Sequence, residues 1–475
     1  MLKKVLKKAI RVSLKDRKMQ IFMMIILLLY LLSAVTFIST YKKEREQFFN
    51  DVKQQYKMNE KYSENMMKFI SEGSLYYFKK PVLTSIIFPE NGYPTKIVSE
   101  VCSFRPRIVE KKAHSKNNMY LSWLFIIGVI ESFTALLFSY DAISKEKKSG
   151  TLRLKIVNGV SRFKVFISKY LNLIILFTFA NILGIFLSVI FFNLIFGIHS
   201  FYLVLNAALL ILVSLPFISF FILLGLIIST SKNNQTNIVV ALAFWLLLVF
   251  IIPNISIIIG EKIQKLKSER QYEKEWRSTW RKVYSKWTEK YDDREKGIHK
   301  VAGNSYLEEG YRAKAVYEMG NKVGRVYEKQ LNESIRQLEV IQKISMVSPY
   351  SLLEISISRI AELGLPKLKS EMKQLKEFQN KVENKLKQYD KKDENSLHLF
   401  YDWSYSDRKA VDEDGLTPFT DMPYPEPSEL ILTNYKNKKI AVRIKRALPA
   451  VMILVVINIF IVIFAFLKIR KLDVR

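Results

Sequence analysis

Six long apolar stretches constrain this chain more than any other feature of its sequence. They are Met19–Thr40, Met119–Tyr140, Tyr170–Phe196, Phe201–Ser229, Ile238–Ile259 and Leu448–Leu467. A helix rises 1.5 Å per residue and a bilayer core is about 30 Å thick, so each stretch is long enough to cross. Backbone polar groups in hydrocarbon have to be satisfied within the segment, which makes each of them a helix. The expected fold class is therefore mainly α, a polytopic membrane protein with six transmembrane helices and two large insertions. The first stretch follows an 18-residue basic leader, exceeds a signal-peptide core and lacks a small-residue cleavage site after it. It is read as a retained anchor.

Charge orients the spans. Six crossings put both termini on one side. The segments on that side are 1–18, 141–169, 230–237 and 468–475, carrying about +17 over 63 residues. The opposite side carries about +14 over more than 260 residues. Basic density beside the spans marks the cytoplasmic face. Both termini and the 141–169 loop are expected there, in a cell inner (plasma) membrane. Much of the net charge of +30 is then topology, and no nucleic-acid partner is expected.

The hydrated segments have distinct characters. Residues 2–14 read as an amphipathic helix lying in the interface, with Leu2, Val5, Leu6, Ala9, Ile10 and Leu14 on one face. Residues 41–118 form a first extracytoplasmic segment, helical near the membrane and then irregular or extended. Residues 260–447 form a larger, mainly helical extracytoplasmic domain. Tyr272, Trp276, Trp280, Tyr284, Trp287 and Tyr291 recur at steps of three or four, as do Val323, Tyr327, Leu331, Ile335, Leu338 and Ile341. Two such stripes predict a long antiparallel helical hairpin with arms of about 35 to 40 residues, broken at Gly303-Asn304. Packing inside the hairpin is one reading of the aromatic stripe. An external contact surface at Trp276, Trp280, Tyr284 and Trp287 is the other. Ser348-Pro349 is a start signal for a further helix, and residues 411–428 are acidic, Pro-rich and irregular. The tight link Gly197-Ile198-His199-Ser200 joins spans three and four. Pro253 and Asn254 are expected to break span five or to end it.

No catalytic chemistry is visible. There is no phosphate-binding G-x-x-x-x-G-K-[ST] loop, no G-x-S-x-G and no H-E-x-x-H. Cys102 is the single cysteine, and His114, His199, His299 and His398 are scattered, so no disulfide framework or metal site is expected. The chain is not expected to be an enzyme or to hold a cofactor. Glu131 lies near the middle of span two. A carboxylate there has to face the bundle interior, a wet cavity or another subunit. It is read as a structural hydrogen-bonding group or, alternatively, as a proton or substrate site. Asn172, Asn181, Asn206 and Asn458 are expected to hydrogen-bond between helices.

The stretch between spans two and three carries Glu146, Gly150-Thr151-Leu152, Ser161-Arg162 and Lys169. It resembles the cytoplasmic loop of ABC-2-type transporter permeases. FSYDAIS at 138–144, ISMVSPYSLLEISISRIAELG at 344–364 and KLDVR at 471–475 resemble the branch with a large extracytoplasmic domain between the last two spans. The resemblance covers the whole chain. It departs where the family often has a second acid, here Lys148, and a proline, here Gly159. The second departure predicts a looser turn into span three.

The resemblance implies a membrane-spanning permease subunit of an ATP-binding cassette exporter. A separate ATP-binding subunit would bind the ATP, and a second permease, identical or homologous, would complete a dimer. Residues 147–158 would be the coupling helix, with Glu146, Lys147, Lys148, Gly150, Thr151, Leu152, Arg153, Leu154, Lys155, Ser161 and Arg162 as the coupling residues. Leu152, Leu154, Ile156 and Val157 would supply apolar anchors, and Lys147, Lys148, Arg153 and Lys155 would meet an acidic rim. Two alternatives belong to other classes: a mechanotransmission permease that moves extracytoplasmic partners without transport, and a membrane sensor.

Overall fold

The computed structural model describes residues 2–62, 74–78, 86–87, 96–100, 103–108, 121–196, 201–231, 234–291, 305–392, 431–432 and 439–470. Among these, six helices are long and apolar enough to cross a membrane. The amphipathic α1 (Leu2–Lys15) comes first. Asp16 interrupts it, its carboxylate accepting from Lys18 N–H at 3.1 Å, and α2 (Arg17–Tyr62) begins there. Span two is α3, in which Trp123–Phe125, a π-helical turn Ile126–Glu131 and Ser132–Ser139 follow one another. Two short helices, α4 (Ser144–Lys148) and α5 (Thr151–Val157), make up the following loop. Spans three and four are α6 (Arg162–Phe196) and α7 (Phe201–Ile228). The tight link between them, the tail 471–475, Cys102, Gly303-Asn304 and residues 411–428 lie outside the described residues.

Span five, α8, does not break at Pro253. It runs as Asn234–Leu246, a π-helical turn Leu247–Ile251 and Ile252–Ile263. Proline lacks an N–H and clashes with the carbonyl four residues back. The π turn immediately before it moves that carbonyl, so the helix continues. Asn254 Nδ2 donates to Phe250 O at 2.8 Å. Expectations of a break or an exit turn are both corrected by this turn.

The membrane core packs span one against span three and span two against span four. Ile26, Tyr30, Trp123, Phe166, Phe177, Phe217 and Phe221 are fully buried in it. Phe22 and Phe177 meet with ring centroids 4.8 Å apart. Span four approaches span two closely at Gly225, where a Cβ would fall 1.9 Å from Ser139 Oγ. Small residues permit such approaches, which dispersion then rewards.

At the other end, α9 (Glu269–Tyr291) and α10 (Ser305–Ser345) are antiparallel. Tyr272 OH donates to Glu333 at 2.6 Å, and Lys286 pairs with Glu318 at 2.9 Å. Gly324 does not interrupt α10. A third long helix, α12 (Leu365–Lys392), runs antiparallel along α10. Lys369 pairs with Glu339, Lys376 with Glu328, and Tyr317 OH donates to Glu383 at 2.9 Å. The expected hairpin is thus a three-helix arrangement with α10, roughly 60 Å long, in the middle. Leu331 packs on Met372 and Leu375 of α12, which is why one stripe of α10 carries so many apolar residues.

Between them lies α11 (Pro349–Ala361). It starts as the sequence predicts: Ser348 Oγ accepts from Ser351 N–H and Pro349 opens the first turn. Ser348 Oγ also donates to Leu248 O of span five at 2.5 Å. Its Leu352 and Ile355 pack on Ala450 and Leu454 of the sixth span, α13 (Ile440–Arg470). Strands β1 (Ser74–Phe78), β2 (Lys96–Glu100), β3 (Ser103–Ile108) and β4 (Ile431–Leu432) form a small sheet in the order β3-β2-β1-β4. β4 joins β1 in parallel and the other pairs are antiparallel. The two insertions therefore share one sheet.

Candidate functional site

The loop between spans two and three is built as a rigid unit. Gly150, at φ 71°, turns the chain from α4 into α5 in a conformation that favours glycine. Thr151 Oγ1 and Ser149 Oγ both donate to Glu146 O at 3.2 Å, closing that turn. The exit is equally defined. Gly159 has φ 78°, its N–H donates to Ile156 O, and Val160 N–H donates to Lys155 O. This pair of bonds around a left-handed glycine is a Schellman cap. The turn into span three is thus closed, not looser, and glycine supplies what the cap demands. Ser161 Oγ then accepts from Lys164 N–H at 3.3 Å, capping α6. Where one coupling helix over 147–158 was expected, there are two short ones with a glycine corner.

Three latches hold this unit to the membrane helices. Glu146 Oε1 accepts from Lys155 Nζ at 2.7 Å and from Lys169 Nζ at 2.8 Å, tying α4, α5 and span three together. Leu152 is buried in the core of the membrane helices. Ser229, after span four, accepts with its hydroxyl from Ile143 N–H at 2.6 Å and Ser144 N–H at 3.1 Å. Arg162 Nη1 adds a bond to Arg470 O at the end of span six, 3.0 Å. Motion of the loop is thereby shared among spans two, three, four and six. Sequence reasoning missed Ser229, although Gly225 and Ser229 stand four apart, a small-residue pair on one helix face.

Latching leaves a defined outer face. Leu154 is 63% exposed and Val157 77% exposed, three residues apart on the same side of α5. Lys148, Thr151 and Arg153 are exposed around them, while Lys147, Lys155 and Ile156 are half-buried. Leu152, expected among the outward anchors, instead seats the helix on its own protein. The surface is a small apolar knob in a basic rim.

Burial alone would raise the Glu146 carboxyl, but Lys169 and then Lys155 outweigh it and hold it below its ordinary value. A lowered carboxylate contributes stability above its unfolded pKa and loses it as pH falls through the folded value. The latch is therefore fully formed at neutral pH and opens only below the ordinary carboxylate range. Glu146→Gln removes the charge at every pH. It is expected to cost about 1 kcal/mol at this partly exposed site, so hydrogen exchange across 151–157 should quicken about fivefold at pH 7. Unchanged exchange would show that Leu152 and Gly150 suffice.

Glu131 faces the bundle interior. Asn181 Nδ2 donates to its Oε2 at 2.6 Å, and Tyr30 OH donates to Asn181 Oδ1 at 2.6 Å. One residue each from spans one, two and three thus forms a chain of hydrogen bonds, fully buried. The other asparagines also bridge. Asn458 Nδ2 donates to Pro216 O and its Oδ1 accepts from Ser219 Oγ; Asn172 Nδ2 donates to Ser13 Oγ; Asn206 Oδ1 lies 3.4 Å from Arg443 Nη1.

The aromatic stripe divides. Tyr272 is buried, and burial with Glu333 beside it pushes its hydroxyl up to about 12. Trp276 is half-buried, whereas Trp280 stacks on Tyr284 at 4.8 Å and Tyr284 is 52% exposed. The Trp287 and Tyr291 side chains lie outside the described residues. Among the described residues no group of His, Cys, Asp and Glu has the arrangement of a metal site.

No curated protein and no solved structure matches the chain. A family model does, that of the ABC-2 family transporter proteins, over residues 4–467. The match takes in all six spans, the loop between spans two and three and both insertions. This chain is a multi-pass membrane protein and belongs to the ABC-2 transporter family.

Proposed function

We propose that the chain is the permease subunit of an exporter driven by a separate ATP-binding subunit, which docks on α5. The observation that carries this is the contrast within one helix. Leu152, Glu146, Ser229 and Arg162 fix the loop that carries α5 to spans two, three, four and six, while Leu154 and Val157 are presented outward in a basic rim. A partner that closes on ATP moves as a body, and a rigid lever seated on several spans transmits that motion into all of them. Apolar anchors inside a polar rim are the usual anatomy of a protein contact. Charge density supports a cytoplasmic loop and cytoplasmic termini, with the three-helix domain outside. A second permease subunit would meet the exposed apolar faces of this one. The ATP site belongs to the partner.

The test separates the outward face from the inward one. In mild detergent, Leu154→Asp/Val157→Asp is expected to lose a co-purifying ATPase at least tenfold while keeping the wild-type melting temperature. Retention of the ATPase by this double variant, or absence of any ATPase with wild type, would overturn the reading. A second reading, mechanotransmission to external partners without transport, is supported by the length of α10 and its contact with span five, where Gly260 lies against Ile341. ATP-dependent accumulation of substrate in sealed vesicles distinguishes the two.

A further inference from the structure

A cavity of about 680 Å³ opens where the three-helix domain meets the sixth span. The last turns of α10, Arg359 of α11, the first turns of α12 and Arg446 of α13 enclose it. Its charges are unbalanced. Lys343, Arg359, Lys369, Lys373 and Arg446 line it against two carboxylates, Glu339 and Glu377. Glu339 is taken by Lys369, and Glu377 lies 3.7 Å from Lys373. Among the described residues no carboxylate is in ion-pair reach of Lys343, Arg359 or Arg446.

These cations are held close against their mutual repulsion. Arg359 Nη1 donates to the backbone carbonyl of Arg446 at 3.0 Å, bringing the two guanidinium-bearing turns together. One turn earlier on the same helix, Arg443 is 4% exposed. Its Nη1 donates to Ile360 O at 3.0 Å, and its Nε and Nη2 have no hydrogen-bond partner. Three arginines thus converge on the junction of α11 and α13 with donor capacity to spare. Guanidinium forks match phosphate oxygens bidentately, which makes a phosphate the natural complement.

The position decides which kind of phosphate. Met346, Leu365 and Pro366 line the same cavity. Just beyond Arg446, span six turns outward-facing and apolar at Leu448, Met452 and Ile453. The basic mouth therefore sits at the level where hydrocarbon begins, beside a face wetted by acyl chains. A water-soluble anion would have no use for that face, whereas a lipid headgroup is delivered there by the bilayer itself.

We propose that this cavity binds the phosphate headgroup of an anionic membrane lipid, clamped by Arg359 and Arg446 with Lys343 as a third cation. The site goes beyond the transport reading and does not depend on the ATPase partner. The test uses the purified full chain in detergent, titrated with short-chain phosphatidylglycerol, phosphatidylcholine of equal chain length, and glycerol phosphate. Affinity and the rise in melting temperature are both read. Wild type is expected to prefer phosphatidylglycerol over phosphatidylcholine by about tenfold or more. Arg359→Gln/Arg446→Gln should abolish the preference, and Arg446→Gln alone, at an exposed side chain, should reduce it. Arg281→Gln/Lys282→Gln, which removes two charges from α9 outside the cavity, should leave it intact. No preference in wild type, or equal loss in the α9 control, would overturn the proposal. So would glycerol phosphate competing as strongly as the lipid, since the site would then serve a soluble phosphate ester.

Discussion

Gly225→Leu is expected to yield no folded protein, and Gly225→Ala a protein destabilised by about 1–3 kcal/mol. The reason is the crossing of spans two and four. An added Cβ would lie 1.9 Å from Ser139 Oγ, 2.8 Å from Ser139 Cβ and 3.2 Å from Leu136 O. Rotating the serine hydroxyl, which now donates to Ala135 O at 2.7 Å, relieves only the first of these. The other two involve Cβ and backbone, so the helices themselves have to separate. One turn further along span four, Ser229 holds the start of the loop. Separation therefore also pulls the Ile143 and Ser144 N–H groups from their acceptor. Fluorescence-detected gel filtration of a tagged protein reads the first effect, and its thermal midpoint reads the second. The double variant Ser139→Gly/Gly225→Ala should recover most of the loss, because it removes both Ser139 atoms that the new methyl meets and leaves only the 3.2 Å approach to Leu136 O. Wild-type behaviour of Gly225→Ala would mean that the close approach is not built in.

The spans were legible because the bilayer imposes one rule on each of them, and that rule is written in composition over some twenty consecutive residues. The start of α11 was legible too, since Ser348 and Pro349 act locally on the first turn. What escaped depends on partners distant in sequence. Leu152 reads as an outward anchor from its helix alone, and only the fold shows that its side of α5 meets the membrane core. Gly159 stands where the resemblance implies a proline, which looked like a loss of rigidity; in place, its positive φ closes a Schellman cap. The small sheet brings Ile431 beside Tyr76, about 350 residues apart, and no periodicity in short, two-to-six-residue strands announces such a pairing. Pro253 was misjudged because a π turn, which has no simple sequence signature, removes the clash before it arises.

Replacing Glu131 with glutamine is expected to leave stability within about 1 kcal/mol of wild type, whereas Glu131→Lys should prevent accumulation of folded protein. Both follow from how the buried carboxyl is satisfied. Asn181 donates to one oxygen and Tyr30 OH lies 3.5 Å from the other. Among the described residues no ion pair reaches it. An amide of the same shape keeps the acceptor for Asn181 and leaves Tyr30 bonded to Asn181 Oδ1. A lysine brings a full charge into the same closed space, facing an amide N–H and a phenol, where removal of a charge partner typically costs about 3–5 kcal/mol. Glu131→Leu is the intermediate case, stranding the Asn181 donor at about 1–3 kcal/mol. Melting temperatures of the three purified variants rank these outcomes. Transport assayed in the glutamine variant then separates the two roles open to this residue. Wild-type stability with wild-type transport leaves Glu131 as a hinge pin shared by spans one, two and three. Wild-type stability with lost transport would place the exchangeable proton itself in the cycle, since the proton is what the amide removes while the bonds remain.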